Sequence, residues 1–359
     1  MKVGGNQMNR FSIEDLDRRL AILKLSKYPG LLDKLADASN TLHVFRNWTP
    51  LKLVALSYVV GPYLRIIGGL EEKKGKVEAI YIDLFAGSGI NKVEDAESLI
   101  AGSPIVAIDC ANTSPKKFDR MYFVDLEEEN IRALHQRLTL LSEIEEFSWI
   151  KGRYKLINED ANEAILKIKK ELDEIKYKNY LAFIDPYKWE LRWESLEKLL
   201  EIRYGDLLIT FQATLIAKEI GKYNSGRLSE ESVGNISKCL GAPPEEWCKL
   251  NKEEALKKYY IEKIRLYKDY VVDIMVKGLI PNGPPFKYFL IFASGRKNPP
   301  WKSMIERMKE FVENYSGDIA EHSLKYLDGK SVRITDYSEK KQQENEKEKM
   351  RDLSLDKFF

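Results

Sequence analysis

The 359 residues are 44% apolar and 32% charged, enough to bury a sizeable core in one large or two ordinary domains, and global disorder is excluded. Fifty-eight Lys and Arg against 56 Asp and Glu leave +2, so the total points to neither a polyanion nor a membrane surface. The distribution is uneven: residues 1–76 hold 13 basic and 7 acidic side chains, residues 277–310 hold 7 and 2, and the remainder is net acidic.

Cys110, Cys239 and Cys248 lack CxxC spacing and lie far in sequence from the three histidines, which supports neither a disulfide framework nor a metal site. No signal-peptide pattern opens the chain, and Lys52 and Arg65 interrupt the most apolar stretch, 51–70, so it falls short of a membrane span. A soluble cytoplasmic protein with no membrane partner is expected. Abundant Lys and Glu with few Cys fit a thermophile's composition.

Residues 1–76 read as an all-helical leader. Thr49 then Pro50 is an N-cap followed by a first-turn proline, and apolar residues recur at helical spacing up to Gly61-Pro62, where the helix is expected to break or kink. Buried-strand patterns follow at 79–85, 120–124, 154–157, 181–184, 206–211, 271–276 and 288–293. Helical patterns lie between most of them, at 104–111, 128–141, 161–175, 193–202 and 253–267. This alternation predicts an α/β fold, Rossmann-like, with a mostly parallel seven-stranded sheet covered on both faces. Pro281-Asn282-Gly283-Pro284 leaves no room for a crossover helix, so the last strand is expected to be antiparallel. Residues 213–252 exceed one crossover helix and predict a helical insertion. The charged run 338–349 reads as a solvated linker. The expected organisation is a leader at 1–76, a sheet domain at 77–337, and a linker with a hydrophobic tail at 338–359.

The strongest local signal is Asp83-Leu84-Phe85-Ala86-Gly87-Ser88-Gly89. A strand running into Gly-x-Gly lets backbone approach a ligand at the carboxyl end of the sheet, with Phe85, Gly87 and Gly89 around it. Position 92 is Lys, not the third glycine of a dinucleotide fingerprint, and a carboxylate at Asp83 suits an ammonium group while repelling a pyrophosphate. S-adenosylmethionine is therefore favoured over NAD. Asp125, closing the next strand, is placed for ribose hydroxyls. The 42-residue gap from Asp83 is taken up by 90–101, which reads as a polar loop, before Ser103 as N-cap opens a helix toward the cofactor. Asp160 and Ala161, after the third strand, are candidates for the adenine ring, although Asp160 also suits a plain N-cap.

Asp185-Pro186-Tyr187 after the fourth strand supplies the candidate chemistry. An exocyclic base amine is a poor nucleophile because its lone pair is delocalised into the ring. A carboxylate and a carbonyl (Asp185, Pro186) that accept its hydrogen bonds pull the nitrogen toward a tetrahedral state, and a ring (Tyr187) stacks on the extruded base. Trp189 and Trp193 are further aromatic surfaces, more commonly core.

This ordered set, with Gly102-Ser103-Pro104, resembles the class I S-adenosylmethionine-dependent methyltransferases, most of all the three-Cys-motif partner protein family, over roughly 45–315. The family fixes no substrate. Amino-methyltransferases of nucleobases generally carry a second proline in the Asp185 motif, which is missing here. Phe45 to Lys52 resembles the segment before the glycine motif in some adenine methyltransferases, and the resemblance implies that Trp48 and Lys52 touch the methionine end of the cofactor.

Arg296, Lys297, Trp301 and Lys302 form a basic, aromatic segment at the carboxyl edge of the last strand, suited to nucleic acid. The C-terminal residues resemble a sliding-clamp interaction motif, with Leu355, Phe358 and Phe359 as its hydrophobic plug and Asp352 where that motif prefers Gln. The expected function is methylation of an exocyclic amino nitrogen in RNA, ribosomal RNA first, with cytosine N4 ahead of adenine N6. The alternatives are a DNA amino-methyltransferase tethered to a clamp and a non-catalytic binding module. The two basic segments are expected to border the Asp185 pocket.

Overall fold

A computed structural model describes residues 13–45, 49–94, 98–278 and 286–329. The leader begins with α1 (Ile13–Leu23) and α2 (Leu31–Asp37). It is not all helical: β1 (His43–Phe45) follows, before the long α3 (Thr49–Lys74). Pro62 lies inside α3 without ending it. An interior proline costs about 3 kcal/mol. Here Tyr58, Val59, Val60, Tyr63, Leu64 and Ile67 are buried on both sides of it, and that packing outweighs the lost turn. Among the described residues α3 is the one helix long and apolar enough to cross a membrane, and most of that stretch is packed inside the protein.

After β2 (Glu78–Asp83) the expected loop is instead a hairpin, β3 (Ile90–Val93) and β4 (Ser98–Ala101), with β1 added parallel to β3. Ile90, Val93 and Ile100 are wholly buried. Intervening Asn91, Lys92 and Ser98 hid this short alternation in the sequence. The chain continues through α4 (Ser103–Asn112), β5 (Arg120–Asp125), α5 (Glu128–Ser142), β6 (Tyr154–Asn158), α6 (Ala161–Asp173), β7 (Lys178–Ile184), α7 (Trp193–Leu200) and β8 (Gly205–Phe211). Three helices, α8 (Ala213–Asn224), α9 (Glu230–Leu240) and α10 (Pro244–Trp247), precede α11 (Glu253–Arg265), β9 (Tyr270–Gly278), β10 (Phe286–Ser294) and α12 (Lys302–Leu327).

The main sheet has the order β6-β5-β2-β7-β8-β10-β9, with β10 antiparallel to both neighbours and the other pairings parallel. This is the Rossmann-like class I methyltransferase arrangement expected from the strand pattern. Tyr81, Phe123, Phe183, Leu208 and Leu290 face a core shared with the leader helices and α4. Ile80, Ile82, Val124, Ala182 and Ile209 face a second core with α6, α7 and α11. Both faces are thus covered, which is why these strands read as continuous apolar runs. The first parallel strands all end on the same edge, bringing Asp83, Asp125 and Asp185 together, and the order reverses between β2 and β7, where such sheets open a crevice.

Candidate cofactor and catalytic site

The turn after β2 is built for close backbone approach. Gly87 and Gly89 have φ of +60° and +87°, a region that favours glycine. A Cβ on Gly89 would sit 2.8 Å from Leu134, and one on Gly102 would sit 3.0 Å from the Gly89 carbonyl oxygen. The Gly102 N–H donates to that carbonyl at 2.7 Å, so the Gly-x-Gly and Gly-Ser-Pro segments form a single backbone cradle. Gly102, not Ser103, is the N-cap of α4; Ser103 occupies the first helical position and is buried. Sequence reasoning missed the residue that braces this turn. Arg137, wholly buried, donates to the carbonyls of Leu35, Ser39, Thr41 and Ser88 at 2.6–2.9 Å and ties the leader to the cradle. Burial pulls its guanidinium down to about 10. Its signal was a basic residue on the buried face of α5 marked by Leu134, Leu138 and Leu141.

Asp83 is wholly buried at the end of β2. Its Oδ2 accepts a long 3.3 Å bond from the Tyr81 hydroxyl, and Oδ1 has no partner in hydrogen-bonding geometry. Desolvation pushes the carboxyl up to about 7; nearby Ser103 and Phe85 N–H favour the charged form, whereas neighbouring Asp185 disfavours it. Phe85 is half-buried beside it. Asp125 accepts from Gly87 N–H at 2.8 Å, Glu127 N–H at 2.9 Å and Asn130 Nδ2 at 2.9 Å, and Asn130 Oδ1 lies 2.8 Å from His43 Nε2. Asp125 thus organises the turn it borders. Asp160 is the N-cap of α6, its Oδ1 accepting from Asn162 N and Nδ2 at 2.8 Å, and Ala161 is buried behind it. Asn162, also missed, bonds Glu190 O and Arg192 N and so anchors the loop after β7.

Asp185 meets Lys52 from the first turn of α3. Lys52 Nζ lies 2.8 Å from both carboxylate oxygens, with the lysine 9% and the aspartate 20% exposed as side chains. The same ammonium sits 5.7 Å from the centre of the buried Tyr288 ring. Pro186 is buried, whereas Tyr187 is 71% exposed, its N–H donating to Glu190 Oε2 at 2.8 Å and its ring 5.3 Å from Lys188 Nζ. Trp189 is partly buried, and Trp193 is core, packed edge-on against Tyr260 with Lys263 Nζ 4.1 Å from its ring. At the end of the adjoining β8, Thr210 Oγ1 and Gln212 Oε1 are buried without hydrogen-bond partners.

The expected nucleic-acid segment lies elsewhere. Because β10 runs against its neighbours, Ser294 pairs with Asp206 at the start of β8, and a Cβ on Gly295 would run into the Arg203 carbonyl. Arg296, Lys297, Trp301 and Lys302 therefore follow the edge opposite Asp83, Asp125 and Asp185. Trp301 is only 4% exposed, edge-on to Phe292, so it offers no stacking surface, and Lys302 pairs with Glu306 at 3.7 Å. Trp48, Leu355, Phe358 and Phe359 lie outside the described residues.

No protein-family model and no curated protein matches the chain. Among solved structures, a Legionella pneumophila protein is 14% identical, with a TM-score of 0.41 over 73% of this chain and 92% of that one. Trm1 from Pyrococcus horikoshii, in complex with S-adenosyl-L-methionine, is 14% identical with a TM-score of 0.35, over 77% and 75%. A Streptococcus mutans protein in complex with SAH is 12% identical with a TM-score of 0.30, over 67% and 97%. Likenesses this distant carry no weight for function, and the fold assignment stands on strand order and direction.

Proposed function

We propose that the protein is an S-adenosylmethionine-dependent methyltransferase acting on an exocyclic amino nitrogen of a nucleobase. The observation that supports it most is the neighbouring pair of carboxylates, Asp83 and Asp185, at the switch point of the sheet beside a glycine cradle. The residues fit the methyl donor: the orphaned Asp83 Oδ1 is an acceptor for an ammonium group, and Gly87, Gly89 and Gly102 let the turn pack closely on His43, Leu134 and its own backbone so that main chain borders Asp83. Asp125 retains lone pairs for ribose hydroxyls, Asp160 keeps Oδ2 toward the adenine amine, and Lys52 is placed for the methionine carboxylate. When bound, the donor supplies an electrophilic sulfonium methyl group.

Asp185 and the Pro186 carbonyl accept the amine's N–H bonds and draw its lone pair out of the ring, while the exposed Tyr187 ring stacks on the base. Lys52 leaves Asp185 as the amine arrives, and the proton released from nitrogen passes to that carboxylate. RNA is favoured over DNA, ribosomal RNA first, and cytosine N4 over adenine N6. A second reading, a binding module without catalysis, draws on the Lys52 ion pair that engages both Asp185 oxygens. Incubation with tritiated S-adenosylmethionine and unmodified ribosomal RNA separates them. The catalytic reading expects label in RNA that Asp185→Ala reduces at least about a hundredfold; label absent from RNA and DNA alike, with the donor bound, favours the module.

A further inference from the structure

The two edges of the sheet carry opposite charge. Seven connections lie on the edge where β2, β5, β6, β7, β8 and β9 begin and β10 ends: 75–77, 113–119, 151–153, 174–177, 201–204, 266–269 and 295–301. Together they hold ten Lys or Arg and four Asp or Glu; of the ten, Lys268 is buried against the Ile202 and Gly205 carbonyls. On the edge holding Asp83 and Asp185, the described connections 84–89, 126–127, 159–160, 185–192 and 212 hold two and five. The basic edge also displays aromatic rings: Tyr177 is 60% exposed with Lys176 Nζ 5.1 Å from its centre, and Tyr204 is 56% exposed with Arg203 at 5.8 Å. These pairs stand on the connections entering the adjacent strands β7 and β8. Toward β6 the edge opens into a cavity of about 470 Å³ lined by the cations Lys76, Arg120, Arg153 and Lys155 and by the carboxylates Glu78 and Asp119. Two of these cations are engaged, Arg120 with Glu78 and Lys155 with Glu171, both at 2.7 Å. Among the described residues Lys76, Lys151, Lys176, Arg203 and Lys297 form no ion pair.

We infer that this amino-terminal edge of the sheet is a docking surface for single-stranded nucleic acid, separate from the methyl-transfer pocket. Cations spread along a groove neutralise successive phosphates, and exposed rings beside them take stacked bases, so one single-stranded ligand uses both the charge and the rings. Strands of six or seven residues set the two edges about 20 Å apart. A strand held here passes around the sheet to present a base at Asp185, so the acidic rim of the pocket does not have to attract the polyanion.

Docking here deepens the proposed function and rests on it for the substrate class, but it is measured without any methyl donor, so its failure leaves donor binding untouched. Fluorescence anisotropy with a labelled single-stranded RNA of about 16 nucleotides reads affinity across about 50 to 200 mM salt. The triple variant Lys151→Glu/Lys176→Glu/Arg203→Glu should weaken binding at least about tenfold at the low end and make the salt slope shallower by about two. Tyr177→Ala/Tyr204→Ala should weaken it at least about thirtyfold with the slope unchanged, which a purely electrostatic surface would not do. An unchanged melting temperature for both variants separates these effects from unfolding. No binding by the wild type, equal binding by the triple variant, or a larger loss from Arg192→Glu on the opposite edge would overturn the inference.

Discussion

At the end of β2, Asp83 is a carboxyl group that burial keeps protonated up to about 7, well above the ordinary carboxylate range. The folded chain holds a proton that the unfolded chain has released above about 4, so this contribution to stability falls as pH rises through that interval. Asp206, pushed up to about 7, and Asp109, to about 6, act in the same direction. The ligand-free protein should therefore melt higher at about pH 5.5 than at about pH 7.5, by scanning calorimetry; a melting temperature that rises over this range contradicts the burial argument. An ammonium ligand has the opposite requirement, since it pairs with the ionised form. S-adenosylmethionine affinity should fall up to about tenfold per pH unit below 7, and Asp83→Asn should be weak and flat with pH. At Gly89 the positive φ and the 2.8 Å approach to Leu134 predict that Gly89→Ala costs about 1–3 kcal/mol in a denaturant titration; a cost near zero would show that the turn relaxes freely.

The helices and strands were legible to different degrees, for physical reasons. All seven strands of the main sheet appear where apolar runs of four to seven residues were bounded by turns, because parallel strands covered on both faces leave no polar side to confuse the pattern. The hairpin β3–β4 escaped because its strands are four residues long with polar side chains between the buried ones. Of the break or kink expected at Pro62, the break did not occur, because propensity is local whereas burial of α3 is not. Asp83, Asp125 and Asp185 stood out as candidates because they end or directly follow strands, and Gly87 and Gly89 because they follow the first strand as Gly-x-Gly. Lys52 against Asp185, 133 residues apart, and Arg137 bracing four carbonyls depend on folding to create the contact. Arg137→Met tests the brace. It leaves those buried carbonyls unpaired and should cost about 3 kcal/mol, far more than a surface arginine; a loss below about 0.5 kcal/mol would mean that the leader is held by its apolar contacts alone.

For the molecule as a whole, the +2 total conceals a division by edge. The basic excess near the last strand does not border Asp185 as expected, because reversal of β10 carries residues 295–301 to the far side of the sheet. Direction along the chain was readable from Pro281 to Pro284; its consequence for where charge lands needed the register. In the acidic rim at Asp125, Glu127, Glu159 and Asp160, the Asp125 and Asp160 carboxylates accept from N–H groups of the cradle and of the α5 and α6 starts, and Glu159 pairs with Lys167 at 2.6 Å. The proposed donor pocket lies at one edge and the inferred polyanion surface at the other. Isothermal titration of the full chain with S-adenosylmethionine at about pH 8, with wild type and Asp83→Asn side by side, tests the proposed donor pocket. Saturable one-to-one binding by the wild type is expected, reduced at least about tenfold in a variant that melts no lower than the wild type; no heat of binding from a wild-type protein that melts cooperatively would contradict the proposed pocket.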